Sequence, residues 1–419
     1  MNSNNNNNNQ HDPATLMRHY NSKFSANHTR FHIAAIPTIH SDRNMKIGFV
    51  LYDYYPFGGL QEDCLATALA TERLGHEIHI FTRTWKGEPP ARGKAHILGK
   101  TGWSNTSRNQ NFFKQLSATL PQHNLDGIVA FNRIPQADIY FAADPCFLER
   151  KKATLFWQKL GSRHRYYAAL EASIFKAVPA LETLVLTERE IDAFTKHYPI
   201  SKAHFHLLPP GVSRVEQSVS MKLRNRANLR SEFGTSEATT VALFVGSGFR
   251  IKGLDRALKA VRANQSSNTK FEFWIVGNGN PTRFKKLAQK AGVPVRFIGG
   301  RADVASFYDA ADFLLHPAYS ESAGKVLLEA ITHGLPVLTT DTCGYEYHIR
   351  NANAGHVLPS PFSQDQLNDA LKQFIEDTKI RKRWSAAALE YAANQDLYSC
   401  HEFAAKLIEE ILTEKSMKH

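Results

Sequence analysis

The sequence predicts an α/β protein with two Rossmann-like domains facing a cleft, and three observations carry that expectation. Between 46 and 82 the residues read as strand, glycine turn, helix and second strand. After a Pro-Pro-Gly break at 209–211, short apolar strands alternate again with helical segments, the order of a doubly wound sheet. The length of 419 residues, 42% of them apolar, is enough to bury two cores rather than one.

Residues 1–44 begin with a run of six asparagines and contain little that can build a core, so a disordered extension is expected there. Met45, which opens the first strand, reads as a translation start, and the extension before it carries no motif. In the N-terminal domain, 45–208, Lys46 to Leu51 reads as the first strand and Pro56-Phe57-Gly58-Gly59 as a turn. A helix follows with Leu60, Cys64, Leu65, Ala68 and Leu69 on one face, and then a strand at Glu77 to Thr82. Backbone without Cβ at Gly58 and Gly59 can bring its amides close to a phosphate, which the following helix start also favours. The turn lacks the G-x-G-x-x-G spacing, which counts against a dehydrogenase. Ile139 to Ala143 reads as a further strand leading to Asp144.

Leu207-Leu208-Pro209-Pro210-Gly211 reads as an interdomain hinge. Strands are expected in the second domain, 209–397, at Thr240–Val245, Glu272–Val276, Arg296–Ile298, Phe313–Leu315 and Val337–Thr339. The stretch from Glu321 to Glu329 places two carboxylates eight residues apart around Gly324. If its helix starts near Ser322, the first amides face the crevice where α/β sheets bind anions, and a phosphorylated ligand is the natural occupant. From spacing alone, an amphipathic helix with two solvated glutamates is the alternative.

The four cysteines form no C-x-x-C pair and sit in apolar segments, which suits a reducing compartment. No run of 18 apolar residues appears, and the start lacks the apolar core of a secretion signal. A cytoplasmic protein is expected. The net charge of +12 is spread along the chain, but Arg150, Lys151, Lys152, Lys159, Arg163 and Arg165 lie within 150–170 without one carboxylate, interleaved with Trp157 and other large apolar side chains. Such a segment suits the surface of an anionic membrane, each cation adding about 1 kcal/mol. A solvated helix with an ordinary core face is the other reading. No nucleic-acid motif accompanies the run.

No two aspartates are separated by one residue, and no H-E-x-x-H is present, so no metal site is expected. The series Val245-Gly246-Ser247-Gly248-Phe249-Arg250-Ile251-Lys252-Gly253, Ile275-Val276-Gly277-Asn278-Gly279, Arg301-Ala302-Asp303-Val304 and Glu321 to Glu329 resembles the C-terminal half of the retaining family-4 glycosyltransferases of GT-B fold. Tyr54 to Gln61, Ala142-Ala143-Asp144 and Leu208-Pro209-Pro210-Gly211 look like one branch of that family, the lipopolysaccharide core glucosyltransferases. The resemblance runs from about Met45 to the C-terminus.

The resemblance implies transfer of glucose from UDP-glucose to heptose of the lipopolysaccharide inner core by a monomeric protein on the cytoplasmic face of the inner membrane, with no cofactor. It assigns Lys252 to the diphosphate, together with the Gly59 amide and the helix start at Ala323, Gly324 and Lys325. The family often has arginine immediately before this lysine, where this chain has Ile251; Arg250 stands one residue earlier. Glu321 matches the residue facing the donor sugar, Glu329 the one bonded to ribose hydroxyls, and Arg301 lies on the uracil side. Asp144 is assigned to the donor sugar or acceptor, with a helix cap before Pro145 as the alternative. Asp63 is placed toward the acceptor. The family's last helix returns to the N-terminal domain, and 398–413 is the candidate. Another UDP-sugar, another acceptor, or a non-catalytic nucleotide-sugar or membrane-binding protein are the competing readings.

Overall fold

Two all-parallel sheets form the frame. The structure, a computed structural model, describes residues 44–56, 58–88, 93–150, 161–176 and 181–417. The expected disorder of the N-terminal extension therefore lies outside the described residues, Asn44 excepted.

The first sheet contains β1 (Lys46–Val50), β3 (Glu77–Thr82), β5 (Lys94–Ile97), β6 (Gly127–Ala130), β7 (Ile139–Ala142), β8 (Glu182–Val185) and β9 (Phe205–Leu207), in the order β5-β3-β1-β6-β7-β8-β9. A small parallel pair, β2 (Asp53–Tyr54) and β4 (Thr84–Trp85), stands apart, its Tyr54 and Trp85 rings stacked at 3.8 Å. The second sheet contains β10 (Thr240–Val245), β11 (Phe271–Val276), β12 (Val295–Gly299), β13 (Phe313–His316), β14 (Val337–Thr340) and β15 (Gly355–Leu358), in the order β12-β11-β10-β13-β14-β15. Helices cover both faces of such a sheet, so its strands are continuous apolar runs. Phe-Glu-Phe-Trp-Ile-Val of β11 is buried at every residue. Strands of that kind were legible, whereas β5, β6, β8, β9 and β15 are short and carry polar or glycine positions.

The first helix, Gly59–Arg73, departs from its expected face. It buries Gln61, Asp63, Cys64, Thr67, Ala68, Ala70 and Thr71, while Leu60, Leu65 and Leu69 are only partly covered. The cause is the C-terminal helix, Cys400–Met417, which packs along it. That helix buries Ala404, Leu407, Ile408 and Leu412. Its Glu402 meets Arg73 at 3.1 Å, and its Glu409 meets His76 at 3.4 Å.

The chain passes between the sheets twice, and the two passages are bonded to each other. Val212 N donates to Leu397 O (3.0 Å), and Cys400 N donates to Pro210 O (3.2 Å). A Cβ on Gly211 would stand 2.5 Å from the Cys400 Cβ, so the glycine of this Pro-Pro-Gly segment is demanded by close approach. The whole of this frame belongs to one compact unit beginning at Asn44.

Candidate active site

In the second sheet the strand order reverses between β10 and β13, and open α/β sheets hold their ligands at such a point, beyond the carboxyl ends of the strands. The loops leaving those two strands carry Lys252 and Glu321, and Lys252 Nζ donates to Glu321 Oε2 at 2.6 Å. Gly253 lets the loops meet. Its φ is +75°, and a Cβ there would stand 1.9 Å from Pro317 O, a clash no side chain survives. Glu321 is fixed from the other side by a bridge to Cys343, its N–H donating to Thr342 O (3.1 Å) and its carbonyl accepting from Gly344 N (3.2 Å). Burial works to raise the Glu321 pKa, but the His316 ring and the Lys252 ammonium outweigh it and hold the carboxyl at about 2.

His316, the last residue of β13, was not singled out in the sequence. It is fully buried with Nε2 3.6 Å from Glu321 Oε2, and neither ring nitrogen has a hydrogen-bond partner among the described residues. Burial pushes its pKa down against the opposing pull of the Glu321 carboxylate. The available signal was its place: a polar residue ending an apolar strand directly before Pro317.

The helix after Glu321 starts at Lys325, later than the expected Ser322, and runs to Thr332 behind Gly324 (φ 87°). Ala323 is buried and its carbonyl accepts from Tyr345 N (2.7 Å), which keeps 321–324 as a loop. Glu329 is consequently one turn into the helix, where Tyr308 Oη donates to its Oε2 at 2.5 Å.

Lys325 and Asp63 were expected to face donor and acceptor; the structure instead gives them to each other. Lys325 Nζ donates to Asp63 Oδ1 across 262 residues of sequence, and His401 Nε2 donates to the same oxygen at 2.8 Å. Asp63 is 2% exposed, and a carboxylate taken that far from water is stable only when paired. Burial raises its pKa, yet Lys325 and His401 outweigh that and lower it.

Arg301, expected beside the nucleotide, has its guanidinium occupied: Asp303 accepts from Nε and Nη2 (2.8 and 2.9 Å) and Glu232 from Nη1 (3.1 Å). Arg250 is exposed on the loop that carries Lys252. Gly59 is exposed at the start of the first helix and a Cβ there would meet nothing within 4 Å, while Gly58 caps that helix in an extended conformation.

Asp144 follows β7 with its side chain 49% exposed, 3.7 Å from Arg133 Nη1. It caps no helix. The next helix begins at Phe147, and the amides at its start are taken by Glu190 (from Cys146 N, 2.9 Å) and Glu171 (from Phe147 N, 2.9 and 3.0 Å). Glu171 is fully buried and also accepts from Arg133 Nε (2.8 Å) and Tyr198 Oη (2.6 Å). Arg133, Glu171 and Tyr198 had no signal in the sequence, because they come from three separate segments.

Of the basic segment, Lys151, Lys152, Trp157 and Lys159 lie outside the described residues, and Arg150 ends a short helix. Arg163 and Arg165 are exposed on the helix Ser162–Phe175. A cavity lined by Ser104, Asn105, Thr106, Ser162 and Arg163 adjoins the fully exposed Trp103, a residue the sequence reading passed over. No helix among the described residues is long and apolar enough to cross a membrane.

Residues 225–391 match the family model of group 1 glycosyl transferases. Over 368 residues the chain is 39% identical to the lipopolysaccharide glucosyltransferase WaaG of Escherichia coli strain K12, covering 87% of this chain and 98% of that one. The crystal structure of WaaG, a glycosyltransferase involved in lipopolysaccharide biosynthesis, superposes with a TM-score of 0.82, covering 86% of this chain and 99% of WaaG. Sucrose-phosphate synthase from Thermosynechococcus elongatus, 16% identical, shares the fold with a TM-score of 0.70 over 90% of this chain and 100% of its own.

Proposed function

Because the chain belongs to the WaaG family of glycosyltransferases with GT-B fold, we propose that it transfers glucose from UDP-glucose to heptose of the lipopolysaccharide inner core. The observation that carries the reading is the Lys252–Glu321 pair across the reversal point of the second sheet. Glycosyl transfer passes through an oxocarbenium-like state while negative charge builds on the departing diphosphate. Lys252, with three donors on one ammonium, meets an oxygen of that diphosphate while still bonded to Glu321. Fixed donors aimed at charge that develops in the transition state act without reorganisation, and in this reading they do the work a metal does elsewhere.

Glu321, ionised well below neutral pH, faces the positive charge developing at the anomeric carbon. Glu329 keeps one oxygen on Tyr308 and offers the other to the ribose hydroxyls. From the opposite lobe the Gly59 amide approaches the diphosphate, and Asp144, steadied by Arg133, meets donor sugar or acceptor. Attack on the face the diphosphate leaves, with a phosphate oxygen accepting the proton, retains the anomeric configuration without a covalent enzyme intermediate. Arg163, Arg165 and Trp103 support a seat on the anionic cytoplasmic leaflet, cations toward the headgroups and the indole within them.

The test is mass spectrometry of heptose-terminated lipopolysaccharide after incubation with UDP-glucose, beside UDP-galactose and the Glu321→Gln variant. A gain of one hexose from UDP-glucose alone, lost in the variant, is expected. No gain removes the lipopolysaccharide assignment.

A further inference from the structure

Three histidines outside the cleft converge at the edge of the first sheet. His79 lies in the middle of β3, His96 in the edge strand β5, and His123 ends the turn Leu120–His123. One ring nitrogen from each lies within 4.8 Å of the other two. His79 Nδ1 and His96 Nε2 are 3.1 Å apart, and the His96 and His123 ring centres 4.4 Å apart. The geometry points to a site for a divalent transition ion of the zinc type, bound by His79, His96 and His123 and serving to clamp the sheet edge.

Three features of the surroundings support it. His79 Nε2 is 3.0 Å from Glu77 Oε1, and a carboxylate accepts, so the ring carries its proton on Nε2. In a neutral imidazole that leaves the lone pair on Nδ1, the atom turned toward His96. A carboxylate behind a histidine is the usual device for orienting it toward a metal. The two lysines nearby are paired with Glu77, which partly offsets their charge at the cluster: Lys94 Nζ at 2.7 Å and Lys46 Nζ at 3.7 Å.

His123 is aimed by backbone. The turn that ends in it carries Pro121 and is followed by Asn124 in the left-handed region (φ 49°, ψ 53°), a conformation asparagine accepts more readily than most residues. Two strands and a helix end therefore deliver one imidazole each, and three imidazoles with an open fourth position suit zinc better than magnesium or calcium. His79 stands three residues before the carboxyl end of β3, and the strand ends are where the cleft residues lie, so the ion takes no part in transfer. Its effect falls on β5, a four-residue edge strand.

The experiment titrates chelator-stripped full-length protein with Zn²⁺ by calorimetry, beside the His96→Gln/His123→Gln double variant. Residues 1–44 contain His11, His19, His28, His32 and His40, so the readout is the difference between the two proteins. The parent is expected to take one more equivalent. At roughly 100-fold excess of zinc over Kd its melting temperature should rise by about 3 °C more than that of the variant. Loading with Co²⁺ should add a visible absorption band of tetrahedral character in the parent alone. Both side chains are only partly buried, and His123→Gln alone, on its turn, serves if the double variant does not fold. Equal stoichiometry and equal melting shifts in parent and variant overturn the proposal, leaving three imidazoles that share protons.

Discussion

Each sheet reverses its strand order once, between β1 and β6 in the first and between β10 and β13 in the second, and the two reversal points are finished differently. In the second a charge pair, Lys252–Glu321, spans the gap. In the first, neutral bonds do so: Tyr52 N donates to Asn132 Oδ1 (2.7 Å) and Tyr52 Oη to Arg133 O (3.3 Å). One ion pair of the first lobe sits deeper, the buried Arg133–Glu171 pair beneath Asp144. At its reversal point the second lobe sets an ion pair on the ligand side, whereas the first sets one beneath a half-exposed aspartate. Removing Glu321 should therefore cost chemistry as well as stability, and removing Glu171 stability first.

The largest effect is expected from Glu171→Ala, which leaves Arg133 buried without its carboxylate. Such a loss costs about 3–5 kcal/mol, read from urea unfolding. A variant as stable as the parent would break the contrast, since it would mean the pair is not structural. Glu321→Gln removes one charge from the ligand side and should lower the rate of transfer by about 10²–10³-fold, beyond whatever stability goes with its pair to Lys252.

The same contrast has a pH form. Burial pushes Glu190, behind Cys146 in the first lobe, up to about 7, whereas Glu321 is held at about 2. A carboxylate whose pKa is raised by folding is protonated in the folded state while the unfolded chain has already ionised. Stability is therefore lost as pH rises from about 4.5 to about 7, on the order of 2 kcal/mol. Glu190→Gln should flatten that slope without abolishing it, because Glu410, also pushed up to about 7 by burial, contributes in the same window. Glu321 has the opposite sign: its contribution is present above about 4.5 and lost as pH falls toward 2. A rate that fell between pH 7 and 5 in step with Glu321 ionisation would contradict this assignment.

The smallest effect concerns the outer surface. Arg163→Ala should weaken flotation with anionic vesicles by about 1 kcal/mol, and Trp103→Ala should add to it, while neutral vesicles bind neither protein. Equal loss from a cation on the second lobe, such as Arg250→Ala, would erase the distinction between the lobes.

The cleft of the second lobe was legible because its chemistry is local. Lys252 lies seven residues beyond the end of β10 and Glu321 five beyond β13, and both strands announce themselves as apolar runs. A strand, a tight loop and a helix start are set by neighbours in sequence, so pattern and glycine position reveal them. The same locality misplaced the helix start. Ser322 looks like a helix residue until the 343–345 segment arrives to bond the backbone of 321–323.

Sequence alone determined the two-sheet α/β frame, the Pro-Pro-Gly passage between its halves, and the residue types at the reversal point of the second sheet. Tertiary structure alone decided where several charges are spent: Asp63 on Lys325 and His401, Arg301 on Asp303 and Glu232, Arg133 on Glu171. The reason is physical. Apolar periodicity records how a segment meets a generic interior, but an ionised group loses its water on burial and must find one particular partner. For Asp63 that partner lies 262 residues away. No spacing within the first helix could name it.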